Sequence, residues 1–176
     1  MINFSLNHFE LFGVPARYGV DVEMLERAYR ALQNEVHPDR HAVGTDADRR
    51  LALQSSARVN EAYRALKDPV LRAQYLLSLR GIDAGDETDT SLPFDFLERQ
   101  LERREAVAEA AQVADERALA IMLDAVRVEA RLREQELERL LDHDSAMDEA
   151  RQRVRELKFL AKLADDIDVA ISATEA

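Results

Sequence analysis

The chain has 176 residues, no cysteine and a formal net charge of −11 at pH 7. The lack of cysteine excludes disulfides, thiolate catalysis and cysteine-ligated zinc or iron–sulfur sites. The acidic balance argues against a nucleic-acid partner, because phosphate binding needs a basic surface. No apolar run approaches the roughly 20 residues of a membrane span, and the N-terminus lacks the basic and apolar regions of a secretory signal. We therefore expect a cytoplasmic protein without a membrane partner.

The composition predicts an all-α fold. Hydrophobic residues make up 47% of the chain, whereas Gly and Pro number only 5 and 4. Alanine, leucine, glutamate and arginine are abundant and favour helices, and no segment shows a convincing strand pattern.

Start and stop signals predict four helices in the first half of the chain. A short helix ends at Gly13, and the three that follow begin at polar cap residues. The predicted helices are 22–36 after the cap Asp21, one that follows the cap Thr45 or Asp46 and runs to about Leu66, and 69–80 after the cap Asp68. The two longer helices are joined by about nine residues and therefore suit an antiparallel hairpin.

The loop of this hairpin contains His37-Pro38-Asp39-Arg40. Proline stiffens the backbone, while the other three side chains offer a donor or acceptor, an acceptor and a permanent cation. Polar groups on a stiff loop between two helices suggest a contact site, and a plain polar turn is the alternative. Arg27 and Arg30 on the preceding helix would add attraction to an acidic partner, unless they only form a solvated face.

The second half predicts an acidic linker and a helical bundle. Residues 81–93 are acidic and poor in apolar residues, so we assign the domains as 1–80, a linker 81–93, and 94–176. Helices are predicted at about 94–113, 115–141 and 146–172, with Asp115 and Ser145 as caps. Short connections favour an antiparallel three-helix bundle.

Two positions in the predicted bundle break the simple core pattern. On a helical wheel Phe159 lies about 160° from Leu157, which marks the core face of its helix. That face also contains Ala150, Val154, Ala161, Ala164 and Ile171. A large aromatic side chain opposite the core is either singly exposed or a partner contact.

On the first bundle helix, Leu97 and Leu101 share an edge with Glu98, Glu102, Glu105 and Glu109. They form an apolar, acidic docking strip, or else the leucines flank the core and the glutamates are solvated.

Four motifs in the first half together resemble a J-domain, the domain that stimulates ATP hydrolysis by DnaK-class chaperones. They are Arg27-Ala28-Tyr29-Arg30-Ala31-Leu32, His37-Pro38-Asp39-Arg40, Asn60-Glu61-Ala62-Tyr63-Arg64-Ala65-Leu66 and Arg72-Ala73-Gln74-Tyr75. Four stretches are similar to the HscB family of iron–sulfur co-chaperones. They are 11–18, 72–81, 96–102 and 154–160.

The HscB resemblance implies an L-shaped, all-helical protein with a J-domain and a C-terminal three-helix bundle. Such a protein is a non-enzymatic co-chaperone without cofactor or metal, which activates the ATPase of HscA and delivers the scaffold protein IscU. The implied chaperone-binding residues are Arg27, Arg30, His37, Pro38, Asp39 and Arg40. The implied scaffold-binding residues are Leu97, Leu101, Glu102, Glu105, Glu109 and Phe159.

Two other functions compete with this interpretation. The first keeps the J-domain but makes the protein a general co-chaperone with a different client. The second is a metal-dependent phosphohydrolase, with ligands drawn from His37, His41 and the His143-Asp144 pair. Nothing in the sequence brings those histidines together.

Overall fold

The structure is a computed structural model that describes residues 2–37, 45–84 and 92–174. All regular secondary structure in these ranges is helical, which confirms the predicted all-α class. The chain divides into two compact units, Met1–Arg80 and Gly81–Ala176. Among the described residues, no helix is both long enough and apolar enough to cross a membrane.

The first unit contains the four predicted helices. Their bounds are α1 His8–Phe12, α2 Val22–Val36, α3 Asp46–Lys67 and α4 Pro69–Leu79. The predicted caps are confirmed, because the side chains of Asp21, Thr45 and Asp68 accept hydrogen bonds from the first turns that follow them. Gly13 ends α1 with φ 64°, a left-handed conformation that favours glycine.

Helices α2 and α3 form the predicted antiparallel hairpin. Glu26, early in α2, pairs with Lys67 at the end of α3, whereas Gln33, about two turns further on, donates to Asn60. Between these contacts the rings of Tyr29 and Tyr63 stack with centroids 3.9 Å apart. Residues later in α2 therefore contact residues earlier in α3, which means that the two helices run in opposite directions.

The second unit contains the three predicted bundle helices. Their bounds are α5 Phe94–Gln112, α6 Glu116–Arg139 and α7 Met147–Thr174, with a π-helical turn at Leu140–Asp144. Asp115 caps α6 as predicted. The prediction that Ser145 caps α7 is wrong: Ser145 adopts a left-handed conformation that ends the π-helical turn, and α7 starts from Ala146, whose carbonyl accepts from Ala150.

Residues from all three helices form the bundle core, which is built around Phe96, Leu119, Leu123, Leu160 and Leu163. Most of the predicted core face of α7 is correct, since Ala150, Val154 and Leu157 are buried. Ala161 is exposed, however, and the buried stripe of the C-terminal half runs through Leu160, Leu163 and Ile167 instead. The stripe is displaced because α7 packs against α5 as well as α6.

Candidate docking surfaces

The end of α2 presents the first predicted contact residue. His37 is exposed and extended, with φ −58° and ψ 127°, as expected for a residue that precedes proline. Pro38, Asp39 and Arg40 lie outside the described residues. The described part of the loop therefore consists of His37 and, at the other end, Thr45.

Arg27 and Arg30 lie on the exposed surface of α2, as predicted. Each guanidinium pairs with a glutamate one turn earlier, Arg27 with Glu23 at 3.6 Å and Arg30 with Glu26 at 3.4 Å. Such solvent-exposed pairs stabilise a helix by only about 0.3–0.5 kcal/mol. Exchange of these partners for carboxylates of another protein would therefore cost little.

The edge of α5 carries an exposed apolar strip. Leu97 and Leu101 are 38% and 60% exposed, so they do not belong to the bundle core. Phe94 is 79% exposed and precedes them at helical spacing, so we define the α5 strip as Phe94, Leu97 and Leu101. Phe94 was not among the predicted contact residues, although it precedes Leu97 by three residues and Leu101 by seven, a spacing that places all three on one face of a helix.

Four glutamates border the α5 strip. Glu98, Glu102, Glu105 and Glu109 are all exposed. None of them forms an ion pair with another residue in the described ranges. An apolar centre with a charged rim is the usual composition of a protein-binding surface. The rim is negative here, which favours a partner with basic residues around an apolar patch.

Phe159 lies beside this helix rather than on the far side of α7. Its ring makes an edge contact with Phe96 of the core at 5.9 Å, and the Arg104 guanidinium lies 4.7 Å from its centroid. The side chain is partly buried. The prediction that Phe159 points away from the core is wrong. A helical wheel assumes one buried face, whereas α5 packs against α7 on the side that carries Phe159. Arg104 belongs to α5, so Phe159 contacts that helix through both its core residue Phe96 and this guanidinium.

The histidines do not assemble a metal centre in the described ranges. No group of three or more histidine, aspartate and glutamate side chains there could hold a metal ion. His143 is exposed in the π-helical turn, and its neighbour Asp144 accepts a hydrogen bond from Arg139. His41 lies outside the described residues.

Two protein-family models match the two units of the chain. The DnaJ domain model matches residues 7–75, and the model described as the HSCB C-terminal oligomerisation domain matches residues 92–168. The first match ends within α4, and the second begins two residues before α5.

Curated proteins and solved structures are similar over nearly the whole chain. The co-chaperone protein HscB homologue of Burkholderia multivorans is 43% identical over 99% of both chains, and that of Ralstonia nicotianae is 46% identical over 97% of both. The structure of HscB from Vibrio cholerae superposes with a TM-score of 0.82 at 38% identity, covering 93% of this chain and 96% of that one. Human HscB gives a TM-score of 0.88 at 25% identity, covering 96% and 83%. With a DnaJ domain, an HscB C-terminal domain and full-length similarity, the chain belongs to the HscB family of co-chaperones.

Proposed function

We propose that this co-chaperone acts in iron–sulfur cluster assembly in the cytoplasm. Its J-domain stimulates the ATPase of HscA through His37, Pro38, Asp39 and Arg40, and its bundle delivers the scaffold protein IscU. In this role it is a non-enzymatic adaptor that makes ATP hydrolysis depend on the presence of the client.

The observation that carries the proposal is the α5 strip. Three large apolar side chains are exposed to solvent on one edge of a helix, although the same bundle has a buried apolar core. Exposed apolar side chains with a polar border commonly mark protein-binding sites. Burying one leucine or phenylalanine side chain contributes about 1.5–3 kcal/mol, so two or three anchors suffice for a specific complex.

The surface of α2 supports the chaperone half of the proposal. Arg27, Arg30 and His37 are all exposed on the helix that leads into the predicted contact loop. Two cations near the loop would attract an acidic ATPase surface and raise the association rate. The loop itself then supplies the specific contacts, with Pro38 reducing the conformational entropy lost on docking.

The test is an ATPase assay with purified HscA, in the presence and absence of IscU. Wild type should stimulate hydrolysis strongly, and more so with IscU present. His37→Gln should abolish stimulation while leaving IscU binding unchanged, because the residue is far along the chain from the α5 strip. Equal stimulation by wild type and His37→Gln would refute the role of the loop.

The alternative function is a general co-chaperone with another client. Affinity capture with wild type and with Leu97→Ala/Leu101→Ala distinguishes the two. Val113→Ala is the matched control, because Val113 is an exposed apolar residue of the same unit outside the strip. If wild type and control both fail to retain IscU, the assignment of the client is wrong. If all three retain it equally, the α5 strip is not the client site.

A further inference from the structure

Arg104 continues the line of the α5 strip along its helix. Phe94, Leu97 and Leu101 are spaced three and four residues apart, and Arg104 follows Leu101 by three. These intervals keep all four side chains on one face of α5. Arg104 is exposed, as the three apolar residues are. The apolar surface that we assign to the client therefore ends at a permanent cation.

The guanidinium of Arg104 is held by an aromatic ring from another helix. It lies over the ring of Phe159 in α7, 4.7 Å from the ring centroid. That ring is itself fixed by an edge contact with Phe96 of the core, with centroids 5.9 Å apart and an angle of 82° between the rings. A cation over an aromatic face is attracted by the negative charge of that face. The contact therefore restricts a long side chain before any partner arrives, which lowers the entropy lost on binding.

Arg104 has no carboxylate partner among the residues that the structure describes. The other two arginines of α5 each have one, since Arg99 pairs with Asp95 at 3.9 Å and Arg103 pairs with Glu129 at 2.6 Å. Ion pairs within a helix form between residues three or four positions apart. Those positions around Arg104 hold Gln100, Leu101, Val107 and Ala108, none of which is acidic. The sequence of α5 thus supplies no helical partner for this cation.

We propose that Arg104 binds a carboxylate of the client, an inference that rests on the client site proposed above. A phenylalanine ring has no conventional hydrogen-bond acceptor, so the contact with Phe159 leaves the N–H donors of Arg104 available to another protein. A guanidinium can donate two parallel hydrogen bonds to one carboxylate, which makes the contact geometrically specific as well as strong. The carboxylate lies at the end of the client's apolar patch, beside the side chain that packs on Leu101.

This cation makes the α5 surface selective for a partner of mixed charge. The four glutamates that border the α5 strip favour basic residues around the client's apolar patch. At Arg104 the preference is reversed, because a basic residue there is repelled and an acidic one is attracted. A client turned end for end would bring its carboxylate to the Phe94 end of the strip, where Asp95 is exposed. Arg104 therefore determines the direction in which the client lies along α5, in addition to strengthening the complex.

Calorimetric titration of the full chain with IscU tests the proposal. Arg104→Gln should weaken binding about tenfold, because an uncharged amide does not replace a charge-assisted pair. Arg99→Gln is the matched control: it removes the same charge from an exposed position on a different face of the same helix, and it should bind within about twofold of wild type. Equal losses for the two variants would show that only the net charge of α5 matters. Tighter binding by Arg104→Gln would show that Arg104 shields Phe159 from the client, and either result would overturn the proposal.

Amide substitutions in the client identify the carboxylate. Each exposed aspartate or glutamate of IscU is changed to its amide, and binding is measured with wild type and with Arg104→Gln. One of these IscU variants should bind wild type about tenfold more weakly but lose little further affinity for Arg104→Gln, because both changes remove the same contact. A purely structural role of Arg104 produces no such coupling. If every IscU variant loses the same factor with both chains, the proposal is wrong.

Leu101→Ala separates this inference from the proposed function. If wild type binds IscU and Leu101→Ala binds it more weakly, while Arg104→Gln binds like wild type, the client site stands and only the role of Arg104 is wrong. If wild type does not bind IscU, the proposed function fails, and the carboxylate contact fails with it.

Discussion

Glu156 of α7 and Arg133 of α6 form an ion pair inside the bundle, with Arg133 Nε donating to Glu156 Oε2 at 2.6 Å. Glu156 is only 2% exposed. Its other carboxylate oxygen accepts a hydrogen bond from Arg153 at 2.5 Å. The buried charge is thus bonded on both oxygens, and it ties α6 to α7 at the end of the bundle that lies away from the Phe96 core.

Removal of this carboxylate should destabilise the bundle. Glu156→Ala removes the buried carboxylate, whereas Arg133 keeps Glu136 at 3.4 Å and Glu129 at 3.6 Å, so we expect a loss of about 2 kcal/mol in the free energy of unfolding. Urea denaturation monitored by circular dichroism measures the change. Asp165→Ala, at an exposed position of α7, is the control and should alter stability by less than about 0.5 kcal/mol. A loss below 1 kcal/mol for Glu156→Ala would contradict the prediction.

Alanine substitutions of Leu101 and Phe159 should have different effects on the affinity for IscU and on the stability of the bundle. Leu101→Ala removes a side chain that is mostly in water, so stability should change by less than about 0.5 kcal/mol while affinity for IscU falls about tenfold. Phe159→Ala also removes contacts with Phe96 and Arg104, and should cost about 2 kcal/mol of stability. Calorimetric titration with IscU and urea denaturation measure the two effects. Equal stability losses for both variants would show that Leu101 is part of the core.

His8 should make the stability of the J-domain depend on pH. Its ring is buried and stacks on Tyr75 with centroids 4.0 Å apart. Burial first, and then the Arg58 guanidinium, lower the pKa of His8 from its ordinary value of 6.5. The unfolded chain therefore binds the proton more readily than the folded one. Stability is fully present above pH 6.5 and is lost as the pH falls below it, by at most about 1.4 kcal/mol per pH unit.

The variant His8→Phe isolates this contribution, because it retains an aromatic ring against Tyr75 but cannot titrate. Urea denaturation of both proteins at pH 7.5, 6.5 and 5.5 gives their stability difference at each pH. We expect wild type to lose stability relative to the variant as the pH falls. Two parallel pH profiles would rule out His8 as the titrating group.

Charge reversal at Arg27 and Arg30 should weaken chaperone activation in a salt-dependent way. The double variant Arg27→Glu/Arg30→Glu replaces attraction to an acidic ATPase surface by repulsion, so half-maximal stimulation of HscA should require about tenfold more protein. The difference from wild type should shrink between about 0.05 M and about 0.5 M salt, because ions screen exposed charges. Arg64→Glu, at an exposed position of α3, is the control and should behave like wild type. A deficit that persists unchanged at high salt would point to a short-range contact instead.

Local signals in the sequence were sufficient to place the helices. Asp21, Thr45, Asp68 and Asp115 each accept a hydrogen bond from the turn they begin, and Gly13 ends the first helix in a left-handed conformation. These effects depend on residues within one turn of each other, so they can be inferred without knowledge of the fold. Helical periodicity also placed Arg27 and Arg30 away from the apolar face of α2, but it left open whether Leu97 and Leu101 of α5 are exposed or flank the core.

The burial of Phe159 was decided by tertiary structure. A helical wheel assumes one buried face, but α7 contacts two helices, so its buried arc widens and shifts along its length. For the same reason Ala161 lies in solvent, whereas Leu160 and Leu163 fill the core. The sequence by itself determined where most of the helices begin, because capping is local; only the packing of three helices determined which side chains of the bundle remain for a partner.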